Sequence, residues 1–394
     1  MPALEGMRVL DMTQYEAGTS CTQLLGWLGA DVVKVEPPGQ GDPGRGVARG
    51  TQASQYFLNY NSNKRSLAIN LAKREGRDLL LQLVPKFDAF IENYGPGVIE
   101  KLGLGYEVMR ELNPGIIYGR IKGFGLTGPY SIYKSYDWVA QASAGTFSVT
   151  GERNGPPMRP GPTIGDTGTG ILMALAITAA YVQKLRTGEG QFIEISMQEA
   201  VTMFMRTLGL QSWGSAPAGR NGSRSGPPTD IYPCAPGGAN DYLFIMVVTT
   251  RMWDTLCAAI DRPKLVHDPR FEAGPARVEN GDELHAEIAK WTLKRTKHEA
   301  MRELGEAGVP CSAVLDTLDL FTDPHLCERD FIQTVEHPTV GTVKLMRSPL
   351  RMSGSHVPMT AAPLLGQHTN EVLFEDLGLD GSALEQLRGS GVIE

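Results

Sequence analysis

The N-terminal residues follow the pattern of a strand, a helix and a second strand within about 30 residues. Apolar residues predict a buried strand at 7–12, a helix at 19–28 and a second strand at 30–36. Strands joined in this way run parallel, because the helix returns the chain to the starting edge of the sheet. A parallel sheet needs a covering layer on both faces. The pattern therefore restricts the chain to an α/β fold.

The same alternation continues through the first half of the chain. Helices are predicted at 73–83, 108–112, 171–185 and 199–210, and strands at 89–92, 116–122 and 191–196. We therefore expect a doubly wound α/β domain over residues 1–212.

The composition then changes. Residues 214–238 are rich in Gly, Pro, Ser and Arg, which predicts a long loop or linker. The following residues predict strands at 242–248 and 309–314 and helices at 253–260 and 285–292, and an N-cap signal at 366–370 begins a terminal helix. We therefore expect a linker and a smaller α+β domain over 213–330.

Composition and charge argue against several classes of protein. The 394 residues include 37 Lys and Arg and 44 Asp and Glu, and the net charge of −7 gives no support for nucleic-acid binding. The five scattered cysteines lack the spacing of a zinc site or a redox pair, so we expect no metal and a reducing compartment. No signal-peptide pattern is present, and the apolar run 171–182 is too short to span a bilayer. We therefore expect a cytoplasmic protein without a membrane partner.

Common enzyme motifs are incomplete or absent. Residues 39–44 match the Gly-X-Gly-X-X-Gly pattern of dinucleotide sites, but prolines crowd this loop and no periodic helix follows it. The Gly-X-Ser-X-Gly elbow of α/β-hydrolases is missing. All seven histidines lie at or after His267. A histidine-dependent mechanism in the first domain would therefore need a residue from the smaller domain or from another subunit.

Asp166 lies in the run Thr-Ile-Gly-Asp-Thr-Gly-Thr-Gly of residues 163–170, directly before a strongly apolar helix. Glycines in such a run let a ligand approach the backbone closely. A carboxylate at a helix start either caps the helix by accepting backbone N–H groups or is an exposed nucleophile. The cap is the commoner role, and the run by itself leaves both open.

Further short motifs follow one another in a specific order. They are Leu10-Asp11-Met12-Thr13, Ala17-Gly18, Cys21-Thr22-Gln23, the run 28–36, Asn63-Lys64-Arg65-Ser66, the run 92–97, Leu112-Asn113-Pro114, Lys122-Gly123-Phe124-Gly125, Tyr136-Asp137, Gly165-Asp166, the run 186–191 and the run 362–369. This order resembles the class III CoA-transferases, the relatives of the formyl-CoA:oxalate, carnitine and bile-acid CoA-transferases. Only the stretch from about 212 to 236 lacks a clear counterpart.

The resemblance implies an architecture. A large Rossmann-like domain would be built from both chain ends, 1–212 and 331–394, with the smaller domain between them. Two such subunits would thread through one another as interlocked rings, so that the protein is a homodimer.

The resemblance also implies a chemistry in which Asp166 is the catalytic nucleophile. Its carboxylate would attack the carbonyl of an acyl-CoA, and the thiolate released would convert the mixed anhydride to an aspartyl-CoA thioester and the donor acid. A small carboxylic acid would then accept the CoA by the reverse steps. CoA thioester is a substrate here, and no permanently bound cofactor is expected. An ordinary aspartate is ionised at pH 7 and needs no general base.

Contacts to CoA are implied at nine positions: Lys64, Arg65, Asn93, Tyr94, Lys101, Lys122, Lys134, Tyr136 and Asp137. The basic members would meet the CoA phosphates, with a solvated surface lysine as the alternative for each of them. Tyr136 and Asp137 are expected beside the thioester, with core packing and helix capping as the alternatives.

Two features differ from the oxalate enzyme of the family. Glu16 replaces a glutamine after the first strand, and the tetraglycine loop is missing, with Gly237-Gly238 as the nearest local candidate. A negative charge near Asp166 would repel an incoming acid anion. We therefore expect Glu16 to tune acceptor choice at the catalytic site, unless it faces solvent or pairs with a lysine. Both features argue against oxalate and formate as the natural pair.

Two other functions remain to be weighed. An α-methylacyl-CoA racemase would pair Asp166 with a histidine near Tyr136, but Ser135-Tyr136-Asp137 occupies that place. A non-catalytic CoA-binding subunit of a heteromeric transferase would not need the aspartate, and the intact Asp166 argues against it.

Overall fold

The computed structural model of the chain describes residues 1–47, 52–207, 212–220, 222 and 226–394. These residues form two compact units. The first unit comprises Met1–Phe147, Arg159–Pro217 and Asp330–Glu394, and the second comprises Ser148–Met158 and Ala218–Arg329. The segment 148–158 thus belongs with the second unit, although the sequence pattern placed it in the large domain.

Eleven strands are formed by the described residues. They are β1 (Arg8–Asp11), β2 (Asp31–Glu36), β3 (Arg65–Ala68), β4 (Ala89–Glu92), β5 (Ile117–Lys122), β6 (Gln191–Ser196), β7 (Asp230–Pro233), β8 (Tyr242–Ile245), β9 (Cys311–Ala313), β10 (Ile332–His337) and β11 (Gly341–Met346).

The same residues form sixteen α-helices. They are α1 (Ala17–Trp27), α2 (Gln55–Asn61), α3 (Arg74–Leu83), α4 (Val98–Lys101), α5 (Tyr106–Leu112), α6 (Asp137–Ser143), α7 (Thr146–Val149), α8 (Asp166–Thr187), α9 (Met197–Phe204), α10 (Thr250–Ala259), α11 (Gly274–Glu279), α12 (Gly281–Thr292), α13 (Lys297–Glu306), α14 (Pro324–Glu328), α15 (Thr369–Leu377) and α16 (Gly381–Gly389).

The first unit contains a six-stranded sheet in the order β3-β2-β1-β4-β5-β6, and every neighbouring pair is parallel. The predicted parallel sheet is therefore confirmed. Because side chains alternate along a strand, Val9 and Leu10 of β1 enter different cores on opposite faces of the sheet. One face packs on α1 and α8, and the other on α3 and the C-terminal helices α15 and α16. Both faces are thus covered, as a parallel sheet requires.

The second unit has an antiparallel sheet in the order β7-β8-β9, packed on α10, α12 and α13. Strand β7 lies within the predicted linker 214–238, so that prediction is wrong for residues 230–233. The reason is tertiary packing, because Tyr232 is fully buried in the core of the unit despite its proline-rich surroundings.

Other boundaries differ more modestly from the predicted ones. Strands β4 and β6 have the predicted bounds, whereas the helix predicted at 199–210 ends at Phe204, and residues 208–210 lie outside the described residues. The hairpin of β10 and β11 and the strand β3 had no prediction. Edge strands of this kind carry few apolar residues in alternation, so their sequence signal is weak.

Helix α8 is the one described helix whose length and composition would allow it to cross a membrane. Its residues Met173, Ile177 and Ala180 are buried against the parallel sheet. This is the position of a core helix, and such helices pass the same test of length and apolarity.

Helices α1 and α8 pack closely at Gly170. A Cβ atom at Gly170 would lie 2.5 Å from the carbonyl oxygen of Ala17 and 2.8 Å from Cβ of Ser20. A Cβ atom does not approach other heavy atoms this closely in real structures, so any side chain at 170 would push the two helices apart. The glycine therefore sets the distance between the starts of α1 and α8.

We predict that Gly170→Ala lowers the free energy of unfolding by about 1–3 kcal/mol, because overpacking a rigid interface forces backbone shifts. Chemical denaturation followed by circular dichroism measures the change. Gly305→Ala in α13 is the matched control, since a Cβ there meets nothing within 4 Å. It should leave the stability unchanged or raise it slightly, because alanine has a higher helix propensity than glycine. Equal stability of the two variants would contradict the packing argument.

Candidate active site

A cavity of about 290 Å³ lies at the carboxyl ends of the central strands in the first unit. Its walls come from the loops after β1, β4 and β5, from residues 131–136, and from Asp166 and Met197. Strands β1 and β4 are neighbours here, and the chain order of the sheet reverses between them. Ligands of open α/β sheets bind at this kind of reversal. A larger cavity of about 670 Å³ adjoins 347–359 near β11, but it does not contain Asp166.

Asp166 is the first residue of α8 and lines the cavity. Its backbone N–H donates to Oδ1 of Asp137 at 3.0 Å. Gly165 allows this contact, since a Cβ there would lie 2.6 Å from the carbonyl oxygen of Asp137. The capping role considered for Asp166 is thus performed by Asp137, and the side chain of Asp166 is left facing the cavity.

Glu16 precedes α1 and is buried beside Asp166. Its Oε1 accepts hydrogen bonds from the hydroxyl of Thr163 at 2.5 Å and from that of Thr167 at 2.8 Å. Tyr60 on α2 faces the same carboxylate. Glu16 therefore does not face solvent, and no lysine among the described residues pairs with it, so neither alternative considered from the sequence applies.

The acidic neighbours Glu16 and Asp137 change the protonation of Asp166, the candidate nucleophile. Burial, followed by the charges of Glu16 and Asp137, raises the pKa of Asp166 to about 8. The helix start favours a carboxylate, but burial and the two acidic neighbours outweigh it. The expectation of an ordinary aspartate that is fully ionised at pH 7 is therefore wrong for this site. Burial also raises the pKa of Tyr60 and Tyr56, with Glu16 adding to the shift, so both phenols remain hydrogen-bond donors.

The loop that carries Glu16 is held in an unusual conformation. Tyr15 has a φ of 58°, in the left-handed region that side chains other than glycine rarely adopt. The backbone of Gln14 forms two hydrogen bonds with the Asn93 amide, at 2.8 and 2.9 Å. The ammonium of Lys34 donates to the carbonyl of Thr13 at 2.7 Å. A strained backbone conformation persists only where the surrounding structure holds it in place. The hydrogen bonds to Gln14 and Thr13 hold the backbone beside Tyr15 in this way.

Five of the predicted CoA contacts line the cavity: Asn93, Tyr94, Lys122, Lys134 and Tyr136. Lys122 donates to Glu92 at 3.0 Å and to the Tyr94 carbonyl, while Lys134 is exposed. The ring of Tyr136 meets that of Tyr15 edge to face with 6.1 Å between centroids. Asp137 lies behind the cavity wall as the brace of α8.

The other three predicted CoA contacts are not brought to the cavity. Lys64 is buried, and its ammonium donates to Asp11, Asn61 and the carbonyl of Thr19, which uses all three N–H groups within the protein. Arg65 forms ion pairs with Asp31, Glu371 and Glu375. Lys101 is exposed at the end of α4. This placement differs from the predicted phosphate contacts of Lys64 and Arg65.

Sequence reasoning missed the hydroxyl groups around Glu16. Thr163 and Thr167 are spaced four residues apart about a helix start, which is a readable signal for a shared face. Tyr60 comes from a distant segment, and its approach to Glu16 has no local signal. The cavity lining includes no histidine, so the described residues offer no partner for the two-base chemistry of a racemase.

Comparison with known proteins identifies relatives over nearly the whole chain. Residues 4–369 match CoA-transferase family III. A formyl-CoA:oxalate CoA-transferase of Streptomyces coelicolor is 39% identical to this chain over 409 residues, and the alignment covers 99% of each protein. One from a Bradyrhizobium species is 35% identical over 415 residues, covering 100% of this chain and 97% of the relative. A crystal structure of a CAIB/BAIF family protein from Brucella suis superposes with a TM-score of 0.84 at 29% identity, over 95% of this chain and 99% of that one.

We predict that Asp166→Asn stabilises the protein and that the gain grows with pH. The folded state keeps the Asp166 proton up to about pH 8, whereas the unfolded chain loses it near pH 4. Stability from this proton is thus lost as pH rises between these values. Because the side chain is half-buried, we expect a gain of about 1–3 kcal/mol near pH 8.5 and almost none near pH 4.5.

Denaturant titrations at the two pH values measure this difference. The exposed Asp254→Asn on α10 is the control, and its stability should follow that of the unmodified protein at both pH values. A gain for Asp166→Asn that is equal at both pH values would contradict the assignment.

Proposed function

The chain belongs to CoA-transferase family III and is a CoA-transferase, and we propose that it moves CoA from an acyl-CoA thioester to a free carboxylic acid with Asp166 as the covalent nucleophile. The observation that carries this proposal is the position of the Asp166 carboxylate. It lines a cavity at the reversal point of the sheet, and its own helix start is capped by another residue.

The proposed reaction conserves the thioester bond energy. The Asp166 carboxylate attacks the acyl carbonyl, the C–S bond breaks, and CoA leaves as the thiolate. The thiolate then attacks the Asp166 carbonyl of the mixed anhydride, which gives aspartyl-CoA and the donor acid. An acceptor carboxylate then attacks the carbonyl of aspartyl-CoA, which releases the thiolate and leaves a second mixed anhydride. The thiolate attacks the acceptor carbonyl of this anhydride, which gives the new acyl-CoA and frees the Asp166 carboxylate. The raised pKa of Asp166 makes its ionised form more nucleophilic than an ordinary aspartate.

CoA itself is proposed to reach Asp166 between the loops after β4 and β5. Lys134 is exposed at the cavity, and Lys122 lies deeper beside Tyr94. Lys101 is three residues beyond Val98, which lines the cavity. These ammonium groups suit the phosphates of CoA, while Tyr136 and Asn93 border the thioester end. We propose CoA as a substrate only, with no permanently bound cofactor.

We predict that Asp166→Ala lowers the transfer rate at least about 100-fold, because the covalent route needs the carboxylate. Initial rates with formyl-, acetyl-, propionyl- and succinyl-CoA and the matching acids give the comparison, read by mass spectrometry of the acyl-CoA products. CoA affinity should change little, since the alanine removes no phosphate contact. Asp254→Ala is the surface control. A variant that keeps more than a few per cent of the rate would refute Asp166 as the nucleophile.

The acceptor acid is a separate part of the proposal. The relatives named above are formyl-CoA:oxalate CoA-transferases, yet Glu16 places a buried negative charge beside Asp166 in this chain. A compact dianion such as oxalate would bring a second carboxylate toward that charge. We therefore propose that Glu16 disfavours short dicarboxylates relative to monocarboxylates.

We predict that Glu16→Gln raises the ratio of kcat/KM for oxalate to kcat/KM for acetate at least about fivefold. One charge contact near a protein surface is worth up to about 4 kcal/mol at 4 Å, so removing it has a measurable effect. The variant should still form the Asp166 thioester. Thr163→Ser, which keeps the hydroxyl and the charge, is the control. An unchanged ratio would show that Glu16 does not select the acceptor.

We also propose that the protein is an interlocked homodimer with a Rossmann-like large domain over 1–147, 159–217 and 330–394 and a cytoplasmic location. The strand order 3-2-1-4-5-6 of the sheet is that of Rossmann-type folds. The outer face of α8 supports an interface, because Ile171, Leu175, Val182 and Leu185 are exposed there, Leu185 to 69%. An apolar stripe of this length on a helix is typical of a covered surface.

We predict a particle of twice the chain mass in sedimentation at low micromolar concentration. Interlocked rings cannot separate without unfolding, so two dimers with different tags should form no hybrid after prolonged mixing. Hybrids should form only after denaturation and refolding, which is the positive control. An active monomer would contradict the dimer, and hybrids in native buffer would contradict the interlocking.

A further inference from the structure

Three carboxylates converge from three separate helix starts. Glu16 is the N-cap residue of α1, and Asp166 and Asp137 are the first residues of α8 and α6. The charges of Glu16 and Asp137 both act on Asp166 and disfavour its ionised form. An arrangement that repels the charge of the proposed nucleophile needs an explanation, because like charges in a half-buried site are unfavourable.

The hydrogen bonds of Glu16 fix its carboxylate beside Asp166. Oε1 accepts the hydroxyl groups of Thr163 and Thr167, and Thr167 directly follows Asp166 in the chain. Two hydroxyl donors on one oxygen fit a carboxylate, which only accepts hydrogen bonds, better than a carboxylic acid, which also donates. The Glu16 carboxylate is therefore a fixed neighbour of Asp166, and its charge acts on that residue.

We propose that Glu16, held in place by Thr163 and Thr167, is a positioning residue that shifts the equilibrium of CoA transfer toward the aspartyl-CoA form of the enzyme. This inference rests on the proposed function and deepens it. It concerns the stability of the covalent form, whereas the acceptor prediction concerns the choice between acids.

The charge balance of the reaction carries the proposal. The C–S bond of acyl-CoA breaks, a C–S bond to the Asp166 carbonyl forms, and the donor acid leaves with the negative charge that Asp166 had carried. The free enzyme with ionised Asp166 has adjacent anions, while aspartyl-CoA is neutral at this position. Glu16 thus destabilises the ionised free enzyme and leaves the thioester unaffected.

The effect of Glu16 on this equilibrium therefore depends on pH, which a purely structural role would not produce. Below the pKa of Asp166, the free enzyme holds a proton on this residue, and the repulsion is absent with or without Glu16. Above it, the repulsion is fully present. The titratable groups around Asp166 are Glu16, Asp137 and Tyr56, with Tyr60 beside Glu16, together with Tyr15, Lys122, Lys134 and Tyr136 of the cavity.

The test measures aspartyl-CoA by intact-protein mass spectrometry at a fixed ratio of donor acyl-CoA to donor acid. The donor is whichever of formyl-, acetyl-, propionyl- and succinyl-CoA gives the largest adduct. The adduct should be absent from Asp166→Ala, which assigns it to Asp166. We expect Glu16→Gln to lower the ratio of aspartyl-CoA to free enzyme about tenfold or more near pH 9, and less than about twofold near pH 6.

Two further variants separate charge from packing. Glu16→Asp keeps the carboxylate and should retain most of the ratio, while Tyr60→Phe keeps Glu16 but removes the hydroxyl that faces it and should lower the ratio less than Glu16→Gln. Tyr106→Phe removes the hydroxyl of a tyrosine whose ring packs on the distant Phe192, and it should change nothing. If Glu16→Gln does not fold, the loss in Tyr60→Phe near pH 9 decides the question.

The outcomes distinguish this inference from the proposed function. No adduct with any of the four donors, or an adduct that persists in Asp166→Ala, refutes the proposed function and with it this inference. An adduct on Asp166 whose amount near pH 9 is the same in all Glu16 and Tyr60 variants refutes the inference alone. A loss in Glu16→Gln that is equal at both pH values assigns Glu16 to packing and also refutes it.

Discussion

The close packing of α1 against α8 is the contact on which the site depends. Gly170 allows the backbone of α8 to approach the Ala17 carbonyl, so the starts of both helices meet at one end of the sheet. That meeting places Glu16 beside Asp166. A larger residue at 170 would separate them, because protein interiors are too dense to absorb even one added methyl group without a shift.

The loop after β1 needs its own support, because it carries Glu16 with a strained residue at Tyr15. Buried charges provide this support. Lys34 bridges the Thr13 carbonyl and Asp42 at 2.7 Å each, and Asp42 also accepts the Tyr15 N–H. Lys64 pairs with the buried Asp11 in the same region. Buried ion pairs contribute little net stability but are very unfavourable when half broken, so they fix the loop in one conformation.

The sequence predicts what depends on short-range patterns. The bounds of β4 and β6 follow from compact apolar runs, and the run 163–170 identifies Asp166 as a residue at a helix start. Strand β7 is not predicted, because the prolines and glycines around it are typical of a loop. Its burial comes from the helices that pack on it, which the local sequence does not show.

The protonation of the site could not be predicted from the sequence. The pKa of Asp166 depends on burial and on Glu16 and Asp137, which lie 150 and 29 positions away along the chain. The same applies to Lys64, whose motif suggests a phosphate contact although its ammonium pairs with Asp11. A motif shows which position of the family a residue corresponds to. Only the fold determines which neighbours form hydrogen bonds or ion pairs with its polar atoms.

The central claim is that CoA passes between acids through a covalent bond to Asp166. Isotope transfer tests it directly. Enzyme isolated as aspartyl-CoA is given one equivalent of an acceptor acid labelled with ¹⁸O in both carboxyl oxygens, and the peptide containing Asp166 is then analysed by mass spectrometry. The account predicts one ¹⁸O atom on the Asp166 carboxylate, because the acceptor oxygen bridges the mixed anhydride and stays with the aspartate when the thiolate departs with the acyl group. Acyl-CoA product formed with an unlabelled Asp166 peptide would contradict it.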